Sequence, residues 1–278
     1  MAKTSRRESP RATADEVARV LWQPEPTGSR GPRPAMQRST VVAAAIAIAD
    51  AHGLSAATLR AIADRLGVSI AGLYRYVPGK TALIALMVEQ VRDQIQVPRH
   101  GAAAAGGTQA ETANAQPEEA APHAWRAQLE ELAVTDWELY HTHPWLLDVP
   151  MGQVPPGPST VARFDAGLGA ALQAGFAAPE AVDIVTAIDH LVIGAARDSL
   201  EQIAFATSSG MSPLQWWRMH GEVAIEHRIA DGDYPWLGRV IAASGFEPAQ
   251  PPGDGAETFR TSFRAELTIL LDGIAQRR

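Results

Sequence analysis

The chain has 278 residues, 46% of them hydrophobic and none of them Cys, which suits a globular protein and excludes disulfide stapling. No apolar run approaches the ~20 residues needed to cross a bilayer, and the N-terminus lacks the apolar core of a secretory leader; a cytoplasmic protein without membrane attachment is expected. The formal charge of −7 by itself argues against nucleic acid, but residues 1–99 carry 14 Lys+Arg against 8 Asp+Glu, and the remainder 10 against 23. A basic front on an acidic body suits a protein that offers one end to phosphates, although chance segregation or a basic tail gives the same counts.

Residues 1–34 read as a basic, largely flexible extension. Within it Thr13 and Glu16 have capping-box spacing ahead of Val17, Val20 and Leu21, which predicts a short helix over about 14–22 with Trp22 as an anchor. Residues 24–34 form a Pro/Gly linker; its Arg30 and Arg33 could reach a phosphate or a minor groove, or simply be solvated. A first domain is expected over 35–96. Val42, Ala45, Ile46 and Ala49 give a helical stripe from about Arg38 to His52, ended by Gly53.

Leu59, Ile62, Ala63 and Leu66 then recur at i, i+3, i+4 and i+7, one apolar face of a further helix. Gly67 follows where a helix ends on a left-handed residue, Val68 is expected to plug the turn, and Ser69 can cap the next helix. Pro78 keeps that helix short. The layout is that of a helix-turn-helix, whose second helix lies in a DNA major groove, and an ordinary helical hairpin within a bundle shares the spacing. Ala71 and Gly72 let the backbone approach another surface, Tyr74, Arg75 and Tyr76 add polar tips, and Lys80 can reach a phosphate.

The run LSAATLRAIADRLGVSIAGLYRYVPGKTALIALMVEQV resembles the N-terminal domain of the tetracycline-repressor (TetR) family of bacterial transcriptional regulators. The resemblance covers about residues 37–97 and is carried best by GVSIAGLYRYVPGKTAL. It implies an all-α fold: an N-terminal three-helix helix-turn-helix domain followed by a larger helical domain for ligand binding and dimerisation. It further implies a homodimer on a palindromic double-stranded operator and release by a small molecule, with repression the usual outcome.

Past Gly79 a helix is expected to about Gln96, with Leu83, Leu86, Met87 and Val91 on its apolar face. In the family it joins the reading head to the body. Residues 97–121, rich in Ala, Gly and Glu, read as a flexible linker longer than the family usually carries. From 122 to 278 only helical patterns appear: about 123–142, broken by Pro144, then Ser159 to Phe176, Pro179 to Thr207, 213–230 and 257–276. The long helix carries Val182, Val185, Ile188, Val192, Ala195 and Ala196, and the last carries Phe259, Phe263, Leu267, Leu270 and Ile274. Two such stripes can form a four-helix seam with a two-fold mate, or face the protomer's own core.

Position by position, the resemblance implies that Thr58 holds phosphate, that Arg60 reaches a base edge, and that Ser69, Ile70, Ala71 and Gly72 face the groove. Tyr74, Tyr76 and Lys80 would hold phosphate; Arg75 varies between base, phosphate and solvent; Leu73 should be core. Arg60 as an ion pair with Asp64, and Tyr74 as a core aromatic, remain open. Ile70, Ala71 and Gly72 cannot make bidentate bonds to bases, so apolar contact with thymine methyls is expected.

In the body, Trp137, His141 and Trp145 cluster at a helix break, and Phe164, Asp189, His190, Trp216 and His220 lie on helices that line the family's pocket. They suggest a hydrophobic or aromatic effector; core packing accounts for the same aromatics. No cofactor and no metal are expected. His141 and His143 are close, and His220, Glu222, Glu226 and His227 crowd one helix, but His143 precedes Pro144 and no HExxH is present. No GxSxG, P-loop or dinucleotide fingerprint is present, so no catalytic residue is assigned. A metal-responsive sensor on the same scaffold, and an enzyme in the C-terminal domain, are the alternatives.

Overall fold

The computed structural model describes residues 13–23, 36–95, 124–212, 215, 216, 219, 228, 232–244 and 255–278. The linkers expected at 24–34 (with Arg30 and Arg33) and 97–121, and most of the helix expected at 213–230, lie outside the described residues. Among the described residues every regular element is helical. Two compact units are distinguishable, one up to Asp189 and one from His190 to Arg277.

The first unit opens with α1 (Ala14–Trp22), started by a complete capping box in which Thr13 N–H donates to Glu16 at 2.8 Å and Glu16 N–H to Thr13 Oγ1 at 3.3 Å. Its Val17 is 1% exposed. Trp22 is mostly exposed and is tied down through its indole N–H, which donates to the Pro156 carbonyl at 3.2 Å. α2 (Arg38–His52) ends at Gly53. It buries Val41, Ala44 and Ile48 beside the expected stripe, because it packs at once on α3 (Leu59–Leu66), on α5 (Lys80–Arg92) and on short 3-10 turns. The head is completed by α4 (Ile70–Leu73).

α5 stops at Arg92, with Asp93 as its C-cap and a turn closed by Ile95 N–H to Arg92 O, rather than continuing toward residue 96. Leu83, Met87 and Val91 are buried, while Leu86 is only partly covered.

α6 (Ala124–Thr142) is broken by Pro144, and the chain drops into a 3-10 turn, Pro144–Asp148. α7 (Pro158–Gln173) begins on Pro, which needs no N–H at the first helical position. It packs along α6 and touches α5. Trp125 meets Phe176 edge to face at 5.9 Å, closing the far end of this pair. α8 (Ala178–Ser209) runs through the boundary of the two units.

In the second unit Val192, Ala196 and Ser199 of α8 are buried, as are Phe263, Leu267, Leu271 and Ile274 of α10 (Gly255–Ala275). Leu271, not Leu270, keeps the buried face; Leu270 is one position off, about 100° round the helix, and is only partly covered. α9 (Pro235–Ser244) has no counterpart in the sequence reading. Its Trp236 and Val240 are exposed, although Trp236, Leu237, Val240 and Ile241 share one helical face in the sequence.

Candidate nucleic-acid interface

Each joint of the α3–α4 motif is set by one local interaction. Thr58 caps α3, its hydroxyl accepting from Ala61 N–H at 3.1 Å. Gly67 adopts φ 66°, ψ 33°, the left-handed conformation that glycine enters without a Cβ penalty. The backbone then closes in the Schellman manner: Val68 N–H reaches Ala63 O at 3.0 Å and Gly67 N–H reaches Asp64 O at 3.4 Å. Ser69 caps α4 by accepting from Gly72 N–H at 3.2 Å. Val68 differs from expectation. Its backbone closes the turn, but its side chain is 37% exposed and plugs nothing. The anchors are Leu73 and Val77, both 0% exposed.

With the motif held from below by Leu73 and Val77, its outer edge is open. Ile70 is 40% exposed, Ser69 and Ala71 are exposed, and Gly72 is partly covered. Thr58, Arg60, Arg75 and Lys80 are also exposed, while Tyr74 and Tyr76 are half-buried. Asp64 does not pair with Arg60, and among the described residues no ion pair occupies this guanidinium. The Arg75 guanidinium lies over the Tyr76 ring, 4.7 Å from its centroid, so the two extend as one polar–aromatic unit. Lys80 sits in the first turn of α5, whose free N–H groups and positive dipole end favour an anion.

The described residues expected to line a ligand pocket fall in both units, Trp137, His141, Trp145, Phe164 and Asp189 in the first and His190 and Trp216 in the second. Trp137 and His141 stack, centroids 3.7 Å apart, and His141 Nδ1–H donates to Trp137 O at 2.8 Å. Burial holds the His141 pKa below the usual 6.5, with that hydrogen bond working in the opposite direction. Trp145 is buried, its indole N–H donating to Asp50 Oδ1 at 2.7 Å. Asp189 pairs with Arg163 at 3.5 Å. Phe164 and His190 are exposed, and in the second unit Trp216 is exposed with its ring edge-on to Phe205. His220 lies outside the described residues. A cavity of about 290 Å³ opens elsewhere, between α1, α2, α5 and the start of α7, beside Glu89 and Asp93; no described member of the expected set lines it.

Sequence reasoning missed the polar groups joining head to body. Asp136 of α6 lies between Arg92 at 3.3 Å and Arg163 at 2.8 Å, and all three side chains are buried or nearly so. Burial opposes the Arg92 charge, but Asp136, Tyr140 and Asp189 together raise its pKa. Burial likewise raises the Tyr140 pKa, against the pull of Arg92. Glu89 of α5 accepts from the backbone at the start of α7, and Asp50 of α2 accepts from His143 and Trp145. Except for Asp136 and Arg163, which are closer in the chain, those partners lie 44 to 95 positions apart, beyond the reach of any local pattern.

Two family models match the chain: residues 41–87 fit that of the bacterial regulatory proteins of the tetR family, and residues 116–278 the tetracyclin repressor-like C-terminal domain. The HTH-type transcriptional repressor DrrR1 of Streptomyces coeruleorubidus is 34% identical over 263 residues, covering 93% of this chain and 86% of that protein. The repressor KstR of Mycolicibacterium smegmatis is 36% identical over 72 residues, 26% of this chain and 35% of its own. Among solved structures, Streptomyces coelicolor ActR in complex with actinorhodin superposes with a TM-score of 0.61 at 19% identity, over 87% of this chain and 98% of that one. A possible TetR family regulator from Streptomyces coelicolor A3(2) gives 0.56 at 24% identity, over 87% and 100%. These superpositions show a shared fold.

Proposed function

The chain belongs to the TetR family of bacterial transcriptional regulators, and we propose that it is a repressor released from a palindromic operator by a small molecule. The observation that carries this reading is the open edge of α4. Ile70 and Ala71 are exposed on a motif whose Leu73 and Val77 are fully buried, and exposed Thr58, Arg60 and Lys80 flank it. Ile70 and Ala71 suit thymine methyls, Arg60 a base edge, and Thr58, Tyr74, Tyr76 and Lys80 the phosphates on either side. Ser69 and Gly72 open the helix that enters the groove, and Arg75 extends over Tyr76 toward the backbone.

A single recognition helix spans few base pairs, so the protein acts as a homodimer with two heads about 34 Å apart. Exposed Ile193 on α8 and Ile269 on α10 support this, each leaving apolar surface for a mate. The C-terminal domain binds the effector, of hydrophobic or aromatic character. Trp137, His141 and Trp145 at the end of α6, with Phe164, Asp189, His190, Trp216 and His220, are the residues proposed to respond to it. Binding shifts the population toward a state whose heads no longer fit the half-site spacing.

The test is a mobility shift on the DNA upstream of the protein's own gene, with and without candidate hydrophobic ligands. Sequence-specific retardation that a ligand abolishes is expected. Binding equal to that of an unrelated duplex would overturn the reading.

A further inference from the structure

We infer that Glu89 and Asp50 form a two-point clamp that sets the angle of the DNA-reading head on the ligand-binding body, and that operator affinity requires it closed. The inference rests on the regulator reading above.

The first point is a borrowed helix cap. α7 has Gly157 as its N-cap residue, with no side chain to accept from the helix's free N–H groups. Glu89 supplies the acceptor from α5. Its Oε2 takes Ser159 N–H at 2.7 Å, and its Oε1 takes Gly157 N–H and Thr160 N–H, each at 3.2 Å, together with the Thr160 hydroxyl. One turn on, Asp93 accepts from the Ser159 hydroxyl at 3.2 Å. A carboxylate at the positive end of a 16-residue helix, bonded to the N–H of its N-cap residue and to two N–H groups of its first turn, is a rigid junction rather than a sliding contact.

Gly157 shows that the approach is built in. Its backbone, at φ −98° and ψ −175°, is open to any residue, so conformation does not call for glycine there. A Cβ at this position would overlap the Glu89 side-chain carbons. What the glycine provides is room for Glu89.

The second point lies on α2. Asp50 Oδ1 accepts from His143 Nδ1–H and from Trp145 Nε1–H, both at 2.7 Å. His143 and Trp145 flank Pro144, where α6 ends, one turn beyond the Trp137–His141 stack. The Arg92–Asp136 pair also holds α5 to α6, but attachment through α5 alone leaves a hinge, whereas attachments through both α2 and α5 fix a rotation. A ligand that moves the end of α6 displaces both donors of Asp50 together.

Because the chain has no Cys, Arg65→Cys on the head and Gln173→Cys on the body allow site-specific spin labelling of the full-length protein, diluted with unlabelled chain. Pulsed EPR then reads the head-to-body distance. Affinity is measured separately, on unlabelled protein, for a duplex that the unaltered chain selects from a random pool. In Gly157→Ala we expect a broadened distance distribution and about a tenfold loss of affinity, with far-UV helicity retained. Trp145→Phe should act in the same direction through the second point, and serves if Gly157→Ala does not fold. In a Glu89→Ala background, Gly157→Ala should add nothing, since the overlap it creates is with Glu89.

An unchanged distance, a broadened distance with unchanged affinity, or an equal further loss in the Glu89→Ala background would each overturn the clamp. Failure of the unaltered chain to select any duplex would instead remove the regulator reading, and this inference with it.

Discussion

Lys80 is exposed in the first turn of α5, and its proposed role on phosphate rests on charge alone. Lys80→Ala is expected to weaken binding to all duplexes alike and to reduce the slope of log K against log salt by about 1, measured by titration. Arg60 carries the same charge, is also exposed, and is proposed to reach a base edge. Arg60→Ala should relax selection at one operator position, at a cost of about 1–3 kcal/mol there, read from competition between single-base operator variants. His141 makes a different prediction. Burial lowers its pKa below 6.5 in the folded chain, so as pH falls the unfolded chain takes up the proton first. Stability is therefore lost as pH drops below about 6.5, and the loss levels off below the folded-state pKa. His141→Gln should flatten this part of the melting-temperature profile between about pH 7.5 and pH 5.

Short elements carry the interface, and the turn between α3 and α4 decides its geometry. Gly67 is left-handed, and a Cβ there would meet nothing within 4 Å, so backbone strain is the whole cost of adding one. Gly67→Ala should cost about 1–2 kcal/mol in urea unfolding, and Gly67→Asn less, because Asn tolerates this conformation better. This turn was legible in advance, since Thr58, Gly67, Ser69 and Pro78 act on neighbours within a few positions. The caps at Thr58, Gly67 and Ser69 fall where those residues place them, but α4 already ends at Leu73, before Pro78 can stop it. Val68 was misjudged because chain order cannot say whether a side chain at a turn points in or out. α9 was missed although Trp236, Leu237, Val240 and Ile241 lie on one helical face, because the stripe spans little more than a turn between Gly- and Pro-rich stretches.

At the level of the whole chain, the head is tied to the body by buried charge. Asp136 lies between two guanidiniums with its side chain 8% exposed. Asp136→Ala would leave Arg92 and Arg163 buried without their shared carboxylate, and a loss of about 3–5 kcal/mol is expected in chemical denaturation. Most helices of the front and of the body could be derived from the order of residues alone, whereas the DNA-reading and ligand-binding roles came with the resemblance to the TetR family. Helical period, capping and glycine placement are short-range properties, repeated often enough along the chain to declare themselves. The pairings of Glu89 with the start of α7, of Asp50 with His143 and Trp145, and of Asp136 with Arg92 could not. Each joins segments dozens of positions apart, and a carboxylate on a helix looks the same in sequence whether it meets water or a buried donor. Only packing removes the water and supplies the partner, and with it the angle at which the head is held.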